Sequence, residues 1–186
     1  MKKIALILLA TVALLAPAGG HAAQKSFTVL LAGGAEPNMV KIWLSPDGRS
    51  YVIDSVVPLE VGGTLCTHPS GNPNELLCHA PAIAGFEVNA GAGDDRVGVA
   101  KDVTVPVTMR GGAGNDFLVG GAGPDKLIGG PDDDTLVGWR GADFVYGGPG
   151  DDRIVGGPGD DVLRGGPGED SERQFRAPRR KPAEVR

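Results

Sequence analysis

From residue 111 to residue 173 the chain repeats itself every nine residues, and the sixth residue of every unit is an aspartate. The units are GGAGNDFLV, GGAGPDKLI, GGPDDDTLV, GWRGADFVY, GGPGDDRIV, GGPGDDVLR and GGPGEDSER, which places Asp116, Asp125, Asp134, Asp143, Asp152, Asp161 and Asp170 in one series. Position eight is apolar in all but the last unit, as Leu118, Leu127, Leu136, Val145, Ile154 and Leu163. A unit this short cannot bury its own apolar face, so a fixed short period requires neighbouring units to stack into a solenoid.

Each unit divides into a six-residue loop and a three-residue strand. Glycines at positions one, two and four permit the positive φ of a tight turn and let carbonyl oxygens point inward. Strand alternation then turns position eight to the interior and positions seven and nine outward. Position nine carries its own apolar series (Val119, Ile128, Val137, Tyr146 and Val155), expected on the outer sheet surface as cross-strand packing or a self-association face. One apolar side chain per nine residues does not offset the ordering entropy of glycine-rich loops. Stacking also brings equivalent carboxylates to roughly 5 Å from one another, where they repel. A cation between successive loops answers both problems. Carboxylate and carbonyl oxygens are hard ligands, and flexible loops suit Ca²⁺ better than the tight octahedron of Mg²⁺. Folding and ion binding are then one event.

GGAGNDFLV matches GGxGxDxUx, with U a large apolar residue, so the stretch resembles the RTX, or haemolysin-type, calcium-binding repeat. The resemblance implies an all-β fold: a right-handed parallel β-roll, or β-solenoid, with two nonapeptides per turn. Loops starting at 111, 129, 147 and 165 would line one edge, and those at 120, 138 and 156 the other, leaving five inter-loop sites. A further unit, AGAGDDRVG at 90–98, keeps Asp95 at position six and Val97 at position eight, and adds a possible sixth site. Between it and Gly111 lies the β-branched segment 99–110, a candidate longer wall of the coil. GGAEPNMVK at 33–41 is a fainter echo, with Asn38 in the aspartate position and Val40 in the apolar one. The candidate calcium ligands are Asp95, Asp116, Asp125, Asp134, Asp143, Asp152, Asp161 and Asp170, with Asn115, Asp133, Asp151 and Asp160 at position five. Backbone carbonyls of Gly112, Gly114, Gly121, Gly123, Gly148, Gly150, Gly157 and Gly159 complete the set. Departures mark weaker places: Asp132 replaces a position-four glycine, Trp139 a position-two glycine, and Pro124 and Ala142 remove position-five oxygens. Glu172 at position eight closes the ladder as a polar cap.

The remainder of the chain reads as three further regions. Residues 1–23 resemble an export signal: Lys2 and Lys3, an apolar run over 4–15 too short to span a bilayer, and a cleavage region near Ala22 or Ala23. Its removal takes the net charge from −5 to −7. Residues 24–88 form a short irregular β-rich region, with strands expected at FTVLLAGG, VKIWL and 50–54. Cys66 and Cys78 lie there, and a disulfide is the default in an oxidising compartment. A zinc site with His68 and His79 is the alternative, although the spacing fits no common zinc pattern. Residues 89–173 are the β-roll, and 174–186 form a basic tail, expected to be disordered.

Charge and motif content narrow the function. Residues 89–172 carry sixteen Asp or Glu against seven Lys or Arg, which makes nucleic acid an implausible partner. No H-E-x-x-H or G-x-S-x-G motif is present, and the acidic pairs recur like ligands rather than occurring once like a catalytic dyad, so no enzyme is expected. The expectation is a secreted, extracellular calcium-binding protein without a membrane span in its mature form, its cell-surface or matrix partner unspecified. The alternative is an adhesion or interaction protein whose scaffold calcium rigidifies, with residues 24–88 binding the partner.

Overall fold

Three-residue strands separated by glycine-rich turns recur through the repeat region, because only positions seven to nine of each unit carry the β-branched, aromatic and aliphatic residues that favour extended backbone. The computed structural model describes residues 5–9, 27–32, 34, 37–55 and 66–175. The N-terminal half supplies β1 (Ala5–Leu9), β2 (Phe27–Ala32), β3 (Met39–Leu44), β4 (Ser50–Ser55), β5 (Cys66–Thr67), β6 (Glu75–His79) and β7 (Ile83–Ala92). The repeats supply β8 (Arg96–Val99), β9 (Val107–Ala113), β10 (Phe117–Val119), β11 (Lys126–Ile128), β12 (Thr135–Val137), β13 (Phe144–Tyr146), β14 (Arg153–Pro158), β15 (Val162–Arg164) and β16 (Ser171–Phe175). Among the described residues the only helical turns are two short 3-10 segments, Pro69–Gly71 and Ala80–Ala82.

Two sheets face each other. One runs in the order β1-β2-β7-β9-β11-β13-β15, the other β16-β14-β12-β10-β8-β3-β4-β6-β5. Successive strands of the repeat region alternate between them, and all pairings there are parallel. Leu118 pairs with Leu136 and Leu136 with Ile154 in one sheet, while Leu127 pairs with Val145 and Val145 with Leu163 in the other. Two nonapeptides therefore make one turn of a β-roll, as the resemblance implied. Position eight points inward as expected: Leu118, Leu127, Leu136, Val145 and Ile154 are all fully buried. Each such side chain contributes about 1.5–3 kcal/mol of burial.

The echo at 33–41 takes its place in the stack, since β3 pairs in parallel with β8 in the register Val40↔Val97. The inner row thus continues from Val40 through Val97 to Leu118. Strand β7 crosses residue 88 and pairs with both β2 and β9, which joins the two halves in one sheet as β3 and β8 join them in the other. Here the core thickens, with Ile42, Ile53, Leu76, Phe86 and Met109 buried together and the Tyr51 ring set edge-on to Phe86. Between β8 and β9 the insertion replaces a glycine loop and drops Val103 into the core.

Cys66 and Cys78 face each other across β5 and β6 and form a disulfide. The bond consumes both thiolates that the zinc alternative required, and the His68 ring lies against the Asn72 and Glu75 carbonyls instead. Part of the segment read as an export signal, β1, lies antiparallel on β2 at the sheet edge. The expected cleavage region at Ala22 and Ala23, residues 56–65, and the basic tail beyond residue 175 lie outside the described residues. No helix among the described residues is long and apolar enough to cross a membrane.

Candidate metal centre

The position-six aspartates are held by the backbone of the turn before them. Along the first edge, the N–H of Asp95 donates to Oδ1 of Asp116 at 2.8 Å, Asp116 to Asp134 at 2.8 Å, Asp134 to Asp152 at 2.9 Å and Asp152 to Asp170 at 3.0 Å. The second edge repeats the pattern from Val107 to Asp125 and Asp125 to Asp143, both 2.9 Å, and from Asp143 to Asp161 at 3.0 Å. One oxygen of each carboxylate thus accepts an N–H from the adjacent turn, which offsets part of the repulsion expected between stacked aspartates.

The other oxygen is the anomaly. Oδ2 of Asp95, Asp116, Asp134, Asp143 and Asp152 is buried with no hydrogen-bond partner among the described residues. Leaving a buried carboxylate oxygen unpaired is costly, and a group in that position calls for an explanation. Asp125 and Asp161 differ: Gly121 N–H donates to Oδ2 of the first at 2.6 Å, and Gln174 Nε2 to that of the second at 2.8 Å. Burial pushes the carboxyls of Asp125 and Asp134 up to about 7, and those of Asp116 and Asp143 up to about 6, from the ordinary 3.8. Asp95 and Asp152 are raised for the same reason. Like charges add to it, with Asp116, Asp152 and Asp132 all acting on Asp134, while the N–H donors pull the other way.

The loops bring main-chain oxygens to the same edges. In the rows of positions two and four, each carbonyl lies against the Cα of the residue one turn later. A Cβ on Gly130 would overlap the Gly112 oxygen, and one on Gly166, Gly141 or Gly168 would overlap Gly148, Gly123 or Gly150. Glycine is required there by close approach as well as by positive φ. The two exceptions foreseen from sequence, Asp132 and Trp139, do take positive φ, 84° and 78°. Gly157 stacks on the Trp139 carbonyl in the same way. Gly121 O accepts the Arg140 N–H at 3.2 Å and Gly159 O accepts Gln174 Nε2 at 3.1 Å, and Gly114 belongs to the same rows. Loop 138 keeps its turn with a longer inter-turn bond, Gly141 N to Pro158 O at 3.3 Å, against 2.9 Å for Asp132 to Pro149.

Position five divides the two edges. On the first, Asn115 N–H donates to Asp94, Asp133 to Asn115, Asp151 to Asp133 and Glu169 to Asp151, at 2.8–3.0 Å, an exposed ladder running opposite in sense to the buried one. Asp94 and Glu169 belong to it although sequence reasoning singled out neither. On the second edge the same row holds Pro124, Ala142 and exposed Asp160, with no ladder.

Among the described residues no three His, Cys, Asp or Glu side chains converge. A cation held here would draw mainly on carbonyl oxygens, with one or two carboxylates beside them. That all-oxygen donor set, together with the unpaired Oδ2 atoms, fits a hard divalent ion in a flexible loop. Residues 110–145 and 146–171 match the family model described as the RTX calcium-binding nonapeptide repeat, in four copies. Neither the curated proteins nor the solved structures provide a match to the chain.

Proposed function

Residues 110–171 are RTX calcium-binding nonapeptide repeats, and from that premise we propose that the chain is an exported calcium-binding module whose repeat region completes its folding as the ion binds. One observation carries the reading: five buried aspartate oxygens, four on the first edge and one on the second, have no hydrogen-bond partner among the described residues. In this reading the position-six carboxylates of Asp95, Asp116, Asp125, Asp134, Asp143, Asp152, Asp161 and Asp170 hold the ion with the loop carbonyls of positions two and four. Held by these oxygens, calcium would supply the positive charge that offsets the stacked carboxylates. Position-five residues Asn115, Asp133 and Asp151 brace the first edge through their N–H ladder, and Asp160 is an exposed position-five carboxylate on the second.

The protein does no bond-making chemistry in this reading. Its role is to become a rigid rod where calcium is plentiful, and site affinities of about 10⁻⁴–10⁻³ M suit an extracellular setting. The apolar, positively flanked segment at 1–23 supports export, and the disulfide supports an oxidising compartment. The test is circular dichroism of the mature chain during a calcium titration, with magnesium and chelator controls. A gain of β signal with calcium, absent with magnesium, is expected; no gain overturns the reading.

A further inference from the structure

Of the four ends of the two aspartate rows, the start of the first and the finish of the second each meet a side-chain carboxamide. At the N-terminal end, Asn38 stands in the aspartate position of the degenerate unit. Its backbone N–H reaches Asp95 Oδ1 at 2.5 Å, and its Nδ2 reaches the same oxygen at 3.1 Å and the Ala90 carbonyl at 2.9 Å. At the C-terminal end of the second edge, Gln174 stands where the first glycine of an eighth unit would fall. Its Nε2 donates to Asp161 Oδ2 at 2.8 Å and to the Gly159 carbonyl at 3.1 Å. Both partners of each amide are acceptors, so the NH₂ must face them.

The two amides share one arrangement: an NH₂ bridges a position-six carboxylate and a main-chain carbonyl of the same loop. For Gln174 these are a position-six carboxylate and a position-four carbonyl, ligands of the kind the proposed function assigns to calcium; for Asn38 the carboxylate is of that kind and the Ala90 carbonyl stands at position one. We infer that Asn38 and Gln174 are plugs that take the place of a terminal calcium ion, and that they set how many ions the chain binds. This rests on the calcium reading above. The contrast within the rows supports it. Asp161 has its Oδ2 satisfied by Gln174, whereas Asp143, one turn earlier on the same edge, has a buried Oδ2 with no partner. On Asp95 it is Oδ1 that Asn38 engages, and Oδ2 stays without a hydrogen-bond partner among the described residues. An amide carries two donors and no net charge, so it satisfies oxygen acceptors of the terminal loop without bringing a further carboxylate that would require a cation.

The test counts calcium per mature chain by native mass spectrometry at saturating calcium, for wild type, Gln174→Glu, Asn38→Asp and the two alanine variants. Replacing either amide by a carboxylate turns a plug into a ligand, so each acidic variant should bind one more ion than wild type. Neither alanine variant should gain one. In chelator the acidic variants should lose β signal at lower urea concentration than wild type. An unchanged count in Gln174→Glu, folded by circular dichroism in calcium, overturns the inference. Gln174 lies at the exposed end of the roll, so that variant decides the matter even if Asn38→Asp fails to fold. A wild-type chain that binds no calcium overturns the underlying reading too, whereas an unchanged count on a calcium-loaded chain leaves that reading standing.

Discussion

Replacing Asp134 by asparagine should move the calcium-free and calcium-bound proteins in opposite directions. Asp134 sits mid-row on the first edge, with Oδ1 accepting the Asp116 N–H and Oδ2 unpaired. Without metal, burial raises its carboxyl to about 7 from 3.8, so holding it ionised in the roll above that pH costs about 4 kcal/mol. Asparagine keeps an oxygen for Asp116 and removes the charge, but it places an NH₂ where Oδ2 was, at a cost of about 1–3 kcal/mol if unpaired. The net is a calcium-free roll more stable by about 1–3 kcal/mol at pH 8. The sign follows from linkage. Stability held by the protonated carboxyl is full below the unfolded value of 3.8 and is lost as pH rises through about 7. The advantage of the variant should therefore shrink as pH falls from 8 toward 4. Urea melts in chelator, followed by circular dichroism at a series of pH values, measure it, and a calcium titration of the same variant should show weaker or fewer sites. An Asp134→Asn protein less stable than wild type in chelator at pH 8, or an advantage independent of pH, refutes the reasoning.

Gly130→Ala should cost several kcal/mol with or without calcium, because its Cβ overlaps the Gly112 carbonyl at positive φ. Gly98→Ala, with open space around it, should stay within about 1 kcal/mol, and thermal melts of the pair distinguish close approach from a general intolerance of side chains. Reducing the Cys66–Cys78 disulfide should lower stability by about 3 kcal/mol, read as a shift of the urea midpoint in saturating calcium; no shift would contradict a stabilising role. Calcium binding at pH 6 should release protons from Asp125 and Asp134, so apparent affinity should fall as pH drops below about 7. Calorimetry in two buffers of different ionisation enthalpy reads that release directly.

Much of this architecture is legible in the sequence because the constraints are local and repeated. The nine-residue period dictates where Leu118, Leu127 and Leu136 point, and the weak unit at 33–41 is recoverable because Asn38 and Val40 keep their offsets. What period alone hides is what happens across turns. The N–H that each aspartate donates to the carboxylate of the next turn, and the overlap that forbids a Cβ at Gly130, depend on stacking eighteen residues apart. The position-five ladder exists on one edge only, since Pro124 and Ala142 break it on the other. Gln174 has no signature, because the period has already ended when its side chain folds back over loop 156. The boundary drawn at residue 88 follows a change of composition, whereas strand β7 runs through it to carry one sheet onward and the β3–β8 pairing carries the other.

Hydrogen–deuterium exchange at the amides of Asp95, Asp116, Asp134 and Asp152 tests the central claim most directly. Those N–H groups donate to the very carboxylates that the ion is proposed to engage. With saturating calcium they should be strongly protected, and in chelator they should exchange many-fold faster while the disulfide-linked strands β5 and β6 keep the same protection. Equal protection of the aspartate amides in calcium and in chelator would contradict the account.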